Sequence, residues 1–264
     1  MIQLSNLSFA YNGKPFINQI ELLIEKAKIT SIIGPNGSGK STLLNLIAGL
    51  YKPHTGNVVI EGSDIFKISR KEIAKKLAIV FQQNYAPEDI TVKELVQFGR
   101  NPHKKYFELL NDDDAGVVDW ALRVTNMNHL SDRYVSQLSG GERQRAWIAM
   151  GLVQSTGILL LDEPTTFLDI RYQIEILELI KKINADCKLT VVMVLHDLNQ
   201  AIRYSHRIIV MNSGEIVAKG DPGEIITPEL IREVYGVEAE KIFIRHSGDK
   251  IIQLLFKRAF REER

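Results

Sequence analysis

Cysteine is nearly absent: Cys187 is the single one in 264 residues. That excludes an internal disulfide and any metal cluster built on thiolates, and it leaves Cys187 to be read as a small buried apolar side chain. Charge excess is absent as well. With 33 Lys+Arg against 32 Asp+Glu, the formal net charge is +1, so nothing in the balance favours a nucleic-acid partner. Long apolar runs are the third absence. The longest stretch free of charged residues and His runs from Ala146 to Leu161, 16 residues interrupted by Gln154, Ser155 and Thr156, and a spanning helix needs roughly 20 apolar residues. The N-terminal MIQLSNLSFAYNGK alternates apolar and polar residues instead of opening with the basic start and apolar run of a signal peptide. The expectation is a protein kept in the cytoplasm, with no transmembrane segment of its own. What is present, 45% hydrophobic and 25% charged residues, is the composition of a folded globular protein with a sizeable core.

Period and punctuation give the organisation. IQLSNLSFAY, FINQIELLIEK and KITSII read as strands and STLLNLIAGL as a helix. After VVIEG, a capping box from Ser69 to Glu72 opens a short helix before the strand LAIVFQ. Between about Thr91 and Gln154 strand signals cease: TVKELVQFG carries a second capping box (Thr91, Glu94), DDDAGVVDWALRVTN starts with acids, and ERQRAWIAMGLVQ is helical throughout. The run Asp112 to Asp114 is expected to be a solvated helix N-terminus. Alternation resumes with GILLLDEP, the helix IRYQIEILELIKKIN, the strand LTVVMVLHD, the helix DLNQAIRYS and the strands RIIVMN and EIVAKG about a Ser-Gly turn. An α/β core with a helical insertion is the simplest parse. The tail after Val237 suggests two short strands, KIFIRH and KIIQLLF.

Two segments carry the chemistry. Gly34-Pro35-Asn36-Gly37-Ser38-Gly39-Lys40-Ser41, followed by Thr42, fits G-x-x-x-x-G-K-[ST] and lies between an apolar strand and a helix, the context this motif requires. Glycines let the loop wrap phosphates so that backbone N–H groups and the helix N-terminus face the anion. Lys40 would neutralise the β- and γ-phosphates and Ser41 would offer its hydroxyl to Mg²⁺. The run ILLLDEP ends a buried strand in Asp162 and Glu163, which must meet a cation or water because an unpaired buried carboxylate is expensive. Asp162 suits Mg²⁺ and Glu163 suits the polarisation of an attacking water. A third segment, LSGGERQR, puts Ser139, Gly140 and Gly141 at the start of a helix, a second anion cradle about a hundred residues beyond the first. One chain binding one nucleotide has little use for two cradles. A head-to-tail pair of subunits resolves this, the cradle of one covering the γ-phosphate held by the other.

These three motifs, in this order over roughly residues 1 to 235, resemble the ATP-binding cassette (ABC) family: GPNGSGKST its Walker A, ILLLDEP its Walker B and LSGGE its signature. The resemblance implies a P-loop NTPase (RecA-like) α/β core at 1–87 and 155–236, an N-terminal antiparallel β-subdomain, an inserted α-helical subdomain at about 88–154, and a C-terminal appendage at 237–264. It implies an ATPase using ATP and Mg²⁺. On matching positions it implies that Tyr11 stacks on adenine, that Gln82, next to Gln83, contacts Mg²⁺ and the attacking water, that Asp169 lies at the subunit interface, and that His196, 33 residues after Glu163, contacts the γ-phosphate. The metal set is then Ser41, Gln82 and Asp162.

A single cassette without membrane helices looks like the ATPase subunit of an importer, a homodimer beneath separate integral-membrane permease subunits at the cytoplasmic face of the cell membrane, and indirectly served by a substrate-binding protein. The strings TVKELVQFGRNPH, LSGGERQRAWIAMGLVQ, DEPTTFLDIRYQIEILELI and VLHDLNQAIRYSHRIIVMNSGEIVAKG are similar to cassettes that drive import of iron-siderophore, haem and cobalamin complexes. Read without that likeness, Trp147 and Phe167 fill the interface between helical and α/β parts. The family implies that residues from about Gln83 to Tyr106 receive the permease. The alternative is a soluble, non-transport ABC ATPase that remodels or regulates a protein complex.

Overall fold

The strand-forming apolar runs fall into two kinds, half-buried and fully buried, and each kind builds its own sheet. In the computed structural model, which describes residues 1–104, 112–246 and 249–259, the order is β1 (Ile2–Tyr11), β2 (Lys14–Ile24), β3 (Ile29–Ile33), α1 (Lys40–Ile47), β4 (Thr55–Ile60), β5 (Ser63–Asp64), α2 (Arg70–Lys76), β6 (Leu77–Val80), α3 (Val92–Phe98), α4 (Asp112–Val124), α5 (Gly140–Val153), β7 (Ile158–Leu161), α6 (Ile170–Cys187), β8 (Thr190–Val194), α7 (Leu198–Tyr204), β9 (Arg207–Asn212), β10 (Glu215–Gly220), α8 (Pro222–Ile225), α9 (Pro228–Tyr235), β11 (Val237–His246) and β12 (Asp249–Ala259). Apart from β10, the alternating strands form an antiparallel sheet ordered β2-β1-β4-β5, and the mostly apolar ones, with the alternating β10 at their edge, a six-stranded sheet ordered β10-β9-β3-β8-β7-β6. The latter is parallel from β9 to β6, with β10 as an antiparallel edge. Every residue of β3, β7 and β8 is buried, as a parallel sheet covered on both faces demands.

Successive residues of these strands enter two different cores. Ile29, Ile33, Leu159, Leu161, Val191, Met193, Ile208 and Val210 pack with α5, α6 and α7. Ile32, Ile158, Leu160, Val192, Val194, Ile209 and Met211 pack with α1 and the antiparallel sheet. The two-residue period of a strand produces this division directly. It also aligns the C-terminal ends of β3, β6, β7 and β8, the edge where an open α/β sheet binds ligands.

The helical insertion α3 to α5 lies between β6 and β7 and joins the core that holds α6. Its helices start as the sequence indicates, with reciprocal capping boxes at Ser69–Glu72, Thr91–Glu94 and Ser139–Glu142. Three expectations need correction. Asp114 is not solvated: it is 6% exposed, and its Oδ1 accepts from Arg100 Nε at 2.7 Å. It turns inward because α4 presents Val118, Ala121 and Leu122 to the core and Asp114 lies four residues before Val118 on the same stripe. Cys187 is exposed. The 18 residues of α6 run about 27 Å, against about 17 Å for a five-residue strand, so the last turn overhangs the sheet. Trp147 is buried as expected, but Phe167 is 83% exposed, its left-handed backbone (φ 62°) turning the ring outward. Of the expected permease surface, residues 105 and 106 lie outside the described residues.

The tail is one long hairpin, β11 paired antiparallel with β12 from Val237↔Ala259 to His246↔Asp249. It is seated on α7 by a two-way amide contact. Asn199 Nδ2 donates to Leu254 O at 3.2 Å, and Leu254 N donates to Asn199 Oδ1 at 2.7 Å, burying Leu254 between the two elements. Among the described residues no helix is long and apolar enough to cross a membrane.

Candidate active site

The loop between β3 and α1 is built by two constraints on its glycines. At Gly34 (φ 152°) a Cβ would lie 2.2 Å from Met211 O, and at Gly39 (φ 102°) it would meet Ile17 Cδ1 at 2.8 Å, so only glycine satisfies both backbone and space. Asn36 and Gly37 form the exposed tip, whereas Gly34, Ser38, Gly39 and Lys40 are buried and Pro35 is half-buried. Lys40 is 6% exposed, and its Nζ donates to Gly34 O at 2.9 Å and Pro35 O at 2.8 Å. Burial lowers its pKa, opposed by the charges of Glu163 and Asp162. A buried ammonium curled onto its own loop carbonyls is a cation waiting for a better anion. Beside it Ser38 Oγ is buried with no hydrogen-bond partner, an orphaned donor of the kind a phosphate oxygen satisfies.

The ends of β6, β7 and β8 close the other side. Ser41 Oγ donates to Asp162 Oδ1 at 2.9 Å, bringing one hydroxyl and one carboxylate to the mouth of the loop. Burial raises the Asp162 pKa, partly countered by the Ser41 bond. One carboxylate with one hydroxyl is a sparse set that suits Mg²⁺, which prefers waters and substrate phosphates to an all-protein cage. Among the described residues, no three His, Cys, Asp or Glu side chains are placed to hold a metal ion by themselves. Glu163 takes a left-handed backbone (φ 50°), a conformation that costs about 1–2 kcal/mol for a residue with a Cβ. Its carboxylate gathers three partners: Gln82 Nε2 donates to Oε2 at 2.5 Å, Thr166 Oγ1 to Oε2 at 3.0 Å, and His196 Nε2 lies 2.6 Å from Oε1. Gln82 and not Gln83 makes this contact; Gln83 Oε1 accepts from Tyr85 Oη at 3.4 Å. Thr166 was missed from sequence, although it sits three residues after Glu163 within the quoted TTFLD run.

Tyr11 reaches α1: its hydroxyl shares a hydrogen bond with Thr42 Oγ1 at 3.1 Å, and its ring is held edge-on by Phe9 at 4.8 Å and Phe16 at 5.2 Å. This leaves a braced aromatic, 40% exposed, beside the helix that follows the phosphate loop. The remaining predicted residues are elsewhere. Ser139 caps α5, its Oγ donating to Glu142 Oε2 at 2.8 Å, and Ser139 and Gly140 are exposed. The Ser139 N–H and hydroxyl hold the Glu142 carboxyl below its usual range. Asp169 caps α6 without a side-chain cap bond and is exposed. Among the described residues, no hydrogen bond joins Ser139, Gly140, Gly141 or Asp169 to the phosphate loop.

Comparison with known proteins agrees with this geometry. Residues 17–166 match the model of the ABC transporter family. The chain is 45% identical over 240 residues to the petrobactin import ATP-binding protein FpuC of Bacillus anthracis, covering 91% of this chain and 88% of that one. It is 44% identical over 234 residues to the iron(3+)-hydroxamate import ATP-binding protein FhuC of Bacillus subtilis, covering 89% and 87%. Among solved structures, the dimeric bacterial ABC transporter cassette MJ0796 matches with a TM-score of 0.74 at 31% identity, over 84% of this chain and 99% of that one. With the family model covering more than half its length and relatives covering nearly all of it, the chain belongs to the ABC transporter family.

Proposed function

We propose that the protein is the ATP-hydrolysing subunit of an importer, energising uptake of an iron chelate through a separate membrane permease. The observation that carries the ATPase part is the grip on Glu163. Its carboxylate is held by Gln82, Thr166 and His196 next to a loop where Lys40 Nζ is bonded to the loop carbonyls of Gly34 and Pro35 and Ser38 Oγ is buried without a hydrogen-bond partner. The iron-chelate part is supported by the likeness to petrobactin and iron(3+)-hydroxamate import proteins.

The residues fit ATP and Mg²⁺. Lys40, Ser38 and the N-terminus of α1 would hold the β- and γ-phosphates, Ser41 and Asp162 with Gln82 would hold Mg²⁺, and Tyr11 would stack on adenine. Mg²⁺, when bound, would neutralise charge developing on the transferring phosphoryl group. Glu163 orients water as general base, with its carboxylate already aimed by Gln82 and Thr166, and His196 fixes the opposite oxygen. Gln82 follows β6 and leads into the helical insertion, so water orientation and insertion position are joined through one side chain.

The Ser139-Gly140-Gly141 end of α5, with Ser139 and Gly140 exposed, supports a head-to-tail homodimer in which it covers the γ-phosphate of the partner copy, and the dimeric cassette MJ0796 supports such pairing. Asp169 then faces the same interface. Docked under the permease, the dimer lies on the cytoplasmic face of the membrane. The test is to isolate the Glu163→Gln protein from its native host in detergent, identify the membrane subunit bound to it, and assay that membrane subunit, reconstituted with the unsubstituted protein, for uptake of iron chelates, haem and cobalamin. Iron-chelate uptake is expected. A preparation devoid of any membrane subunit, with ATPase activity indifferent to detergent or lipid, would sink the importer reading.

A further inference from the structure

The parallel sheet has a second end, away from the phosphate loop. There, at the N-terminal ends of β3 and β9, a cleft of about 550 Å³ opens between Lys28, the Arg203–Arg207 segment, the start of α8 and Ile252 of β12. None of the residues assigned to ATP lines it.

Its walls are cationic. Lys28 forms no ion pair among the described residues, and Arg203 is exposed beside the Tyr204 ring, its guanidinium carbon 5.4 Å from the centroid. Arg207 is shared with Glu25 at 2.7 Å. The one carboxylate on the wall, Asp221, is already engaged, accepting from Gly223 N at 2.8 Å. His206 is oriented by the backbone: Ile29 N donates to its Nδ1 at 3.0 Å. The neutral ring therefore carries its proton on Nε2 and presents a donor. Burial lowers the His206 pKa, with the charges of Lys28, Lys181 and Arg207 acting in the same direction and Glu25 opposing them. Pro222 and Ile252 add an apolar wall. Lys28 and Arg203, with Arg207 shared with Glu25 and one imidazole N–H donor, bring positive charge and donors to a concave site of the kind the three oxygens and near −2 charge of a phosphate group require, and the apolar wall and volume leave room for an organic portion.

We propose that this cleft binds a phosphorylated small metabolite, with its phosphate among Lys28, Arg203, His206 and Arg207 and its organic part against Pro222 and Ile252. Such a ligand would bridge the ATPase core to the C-terminal hairpin. It would also touch the pair of backbone contacts, Ile29 N to His206 Nδ1 and His206 N to Ile29 O at 2.8 Å, that anchors the strand leading into the phosphate loop.

The test uses the full chain saturated with a non-hydrolysable ATP analogue and Mg²⁺, so that the phosphate loop is filled. Ribose 5-phosphate and inorganic phosphate are titrated in, with calorimetry and the His206 imidazole ¹⁵N resonances as readouts. Ribose 5-phosphate should bind more tightly than inorganic phosphate and shift His206. Lys28→Ala/Arg203→Ala should weaken it by about tenfold or more, the worth of one charge-assisted bond. The charge-preserving pair Lys28→Arg/Arg203→Lys should retain binding, which separates charge from folding. Three results would overturn the proposal: no His206 shift with either probe up to about 10 mM, where affinity is already marginal; equal binding by the Lys28→Ala/Arg203→Ala variant; or equal affinity for the two probes, which would remove the organic part.

Discussion

Two helices of this chain begin on glycine-rich sequence, and their surroundings differ. The end of α1 is enclosed: Lys40 and Ser38 are buried beside it, Asp162 is bonded to Ser41, and Glu163 stands opposite with three partners of its own. The end of α5 is bare. Ser139 and Gly140 are exposed, and its cap is satisfied only by its own Glu142. Both ends carry the same partial positive charge, so charge alone does not separate them. One end has side chains able to hold and cleave a phosphate chain, and the other has only backbone and one hydroxyl to add. The first is a candidate site, and the second, in the proposed head-to-tail dimer, is half of one that a second copy would complete.

That contrast can be attacked from either side. The largest effect is expected at the enclosed end: Glu163→Gln removes the general base and should lower ATP turnover by a factor of about 10² to 10⁴ while ATP binding persists, read by steady-state hydrolysis against equilibrium binding. Near-normal turnover would take the catalytic role away from Glu163. Next, Lys40→Ala should weaken ATP binding by about 10- to 150-fold, the equivalent of one charge-assisted bond at about 1.5–3 kcal/mol; unchanged affinity in a filter-binding titration would count against the phosphate-loop assignment.

Ser139→Ala should leave ATP affinity of its own chain nearly unchanged, reduce turnover of the dimer, and cost about 1 kcal/mol in stability through the lost cap. Its sharper use is in a mixture. When Ser139→Ala and Lys40→Ala subunits are combined, one composite site per mixed dimer has both an intact Lys40 and an intact Ser139, so activity should exceed that of either variant alone. A mixture no more active than its components would mean that Ser139 does not act across the dimer.

The smallest effect is on stability without ligand. Burial raises the Asp162 pKa in the folded protein. A raised folded pKa contributes stability below the unfolded value, lost as pH rises through the folded value. At neutral pH the ionised Asp162 is therefore a liability that Mg²⁺ would offset. Asp162→Asn should raise the melting temperature of the nucleotide-free protein at pH 7, with the gain shrinking as pH falls toward 4. A lowered melting temperature would reverse the sign argued here.

The sequence made the enclosed end legible because its chemistry is local: eight consecutive residues form the loop and a strand end marks Asp162, while Gln82 and His196 came from the family resemblance. Thr166 stayed hidden because a threonine in a turn carries no signal until the left-handed backbone at Glu163 folds the carboxylate back onto it. Burial at element ends was the other blind spot. Asp114 and Cys187 were both misjudged by residue type, since the first depends on Arg100 arriving from the turn after α3 and the second on how far α6 outruns the sheet. The helices α8 and α9 escaped notice although Asp221-Pro222 and Thr227-Pro228 each present a cap followed by proline at the first turn. At four and eight residues they are too short for periodicity to register. The hairpin was recognised, but as two short strands, because its length rests on pairing and on the Asn199 contact rather than on composition.

The alternate-residue division of the parallel sheet has a consequence for how such a protein can change over time. Leu160 and Leu161 are neighbours in the chain, yet one packs beneath the nucleotide loop and the other beneath the helical insertion. Substitutions in the two layers share few partners, and effects at sites without shared partners tend to add rather than interfere. The surface of the insertion can drift to suit a new membrane partner while the phosphate-binding layer keeps its packing, which makes one nucleotide engine transferable among many transporters.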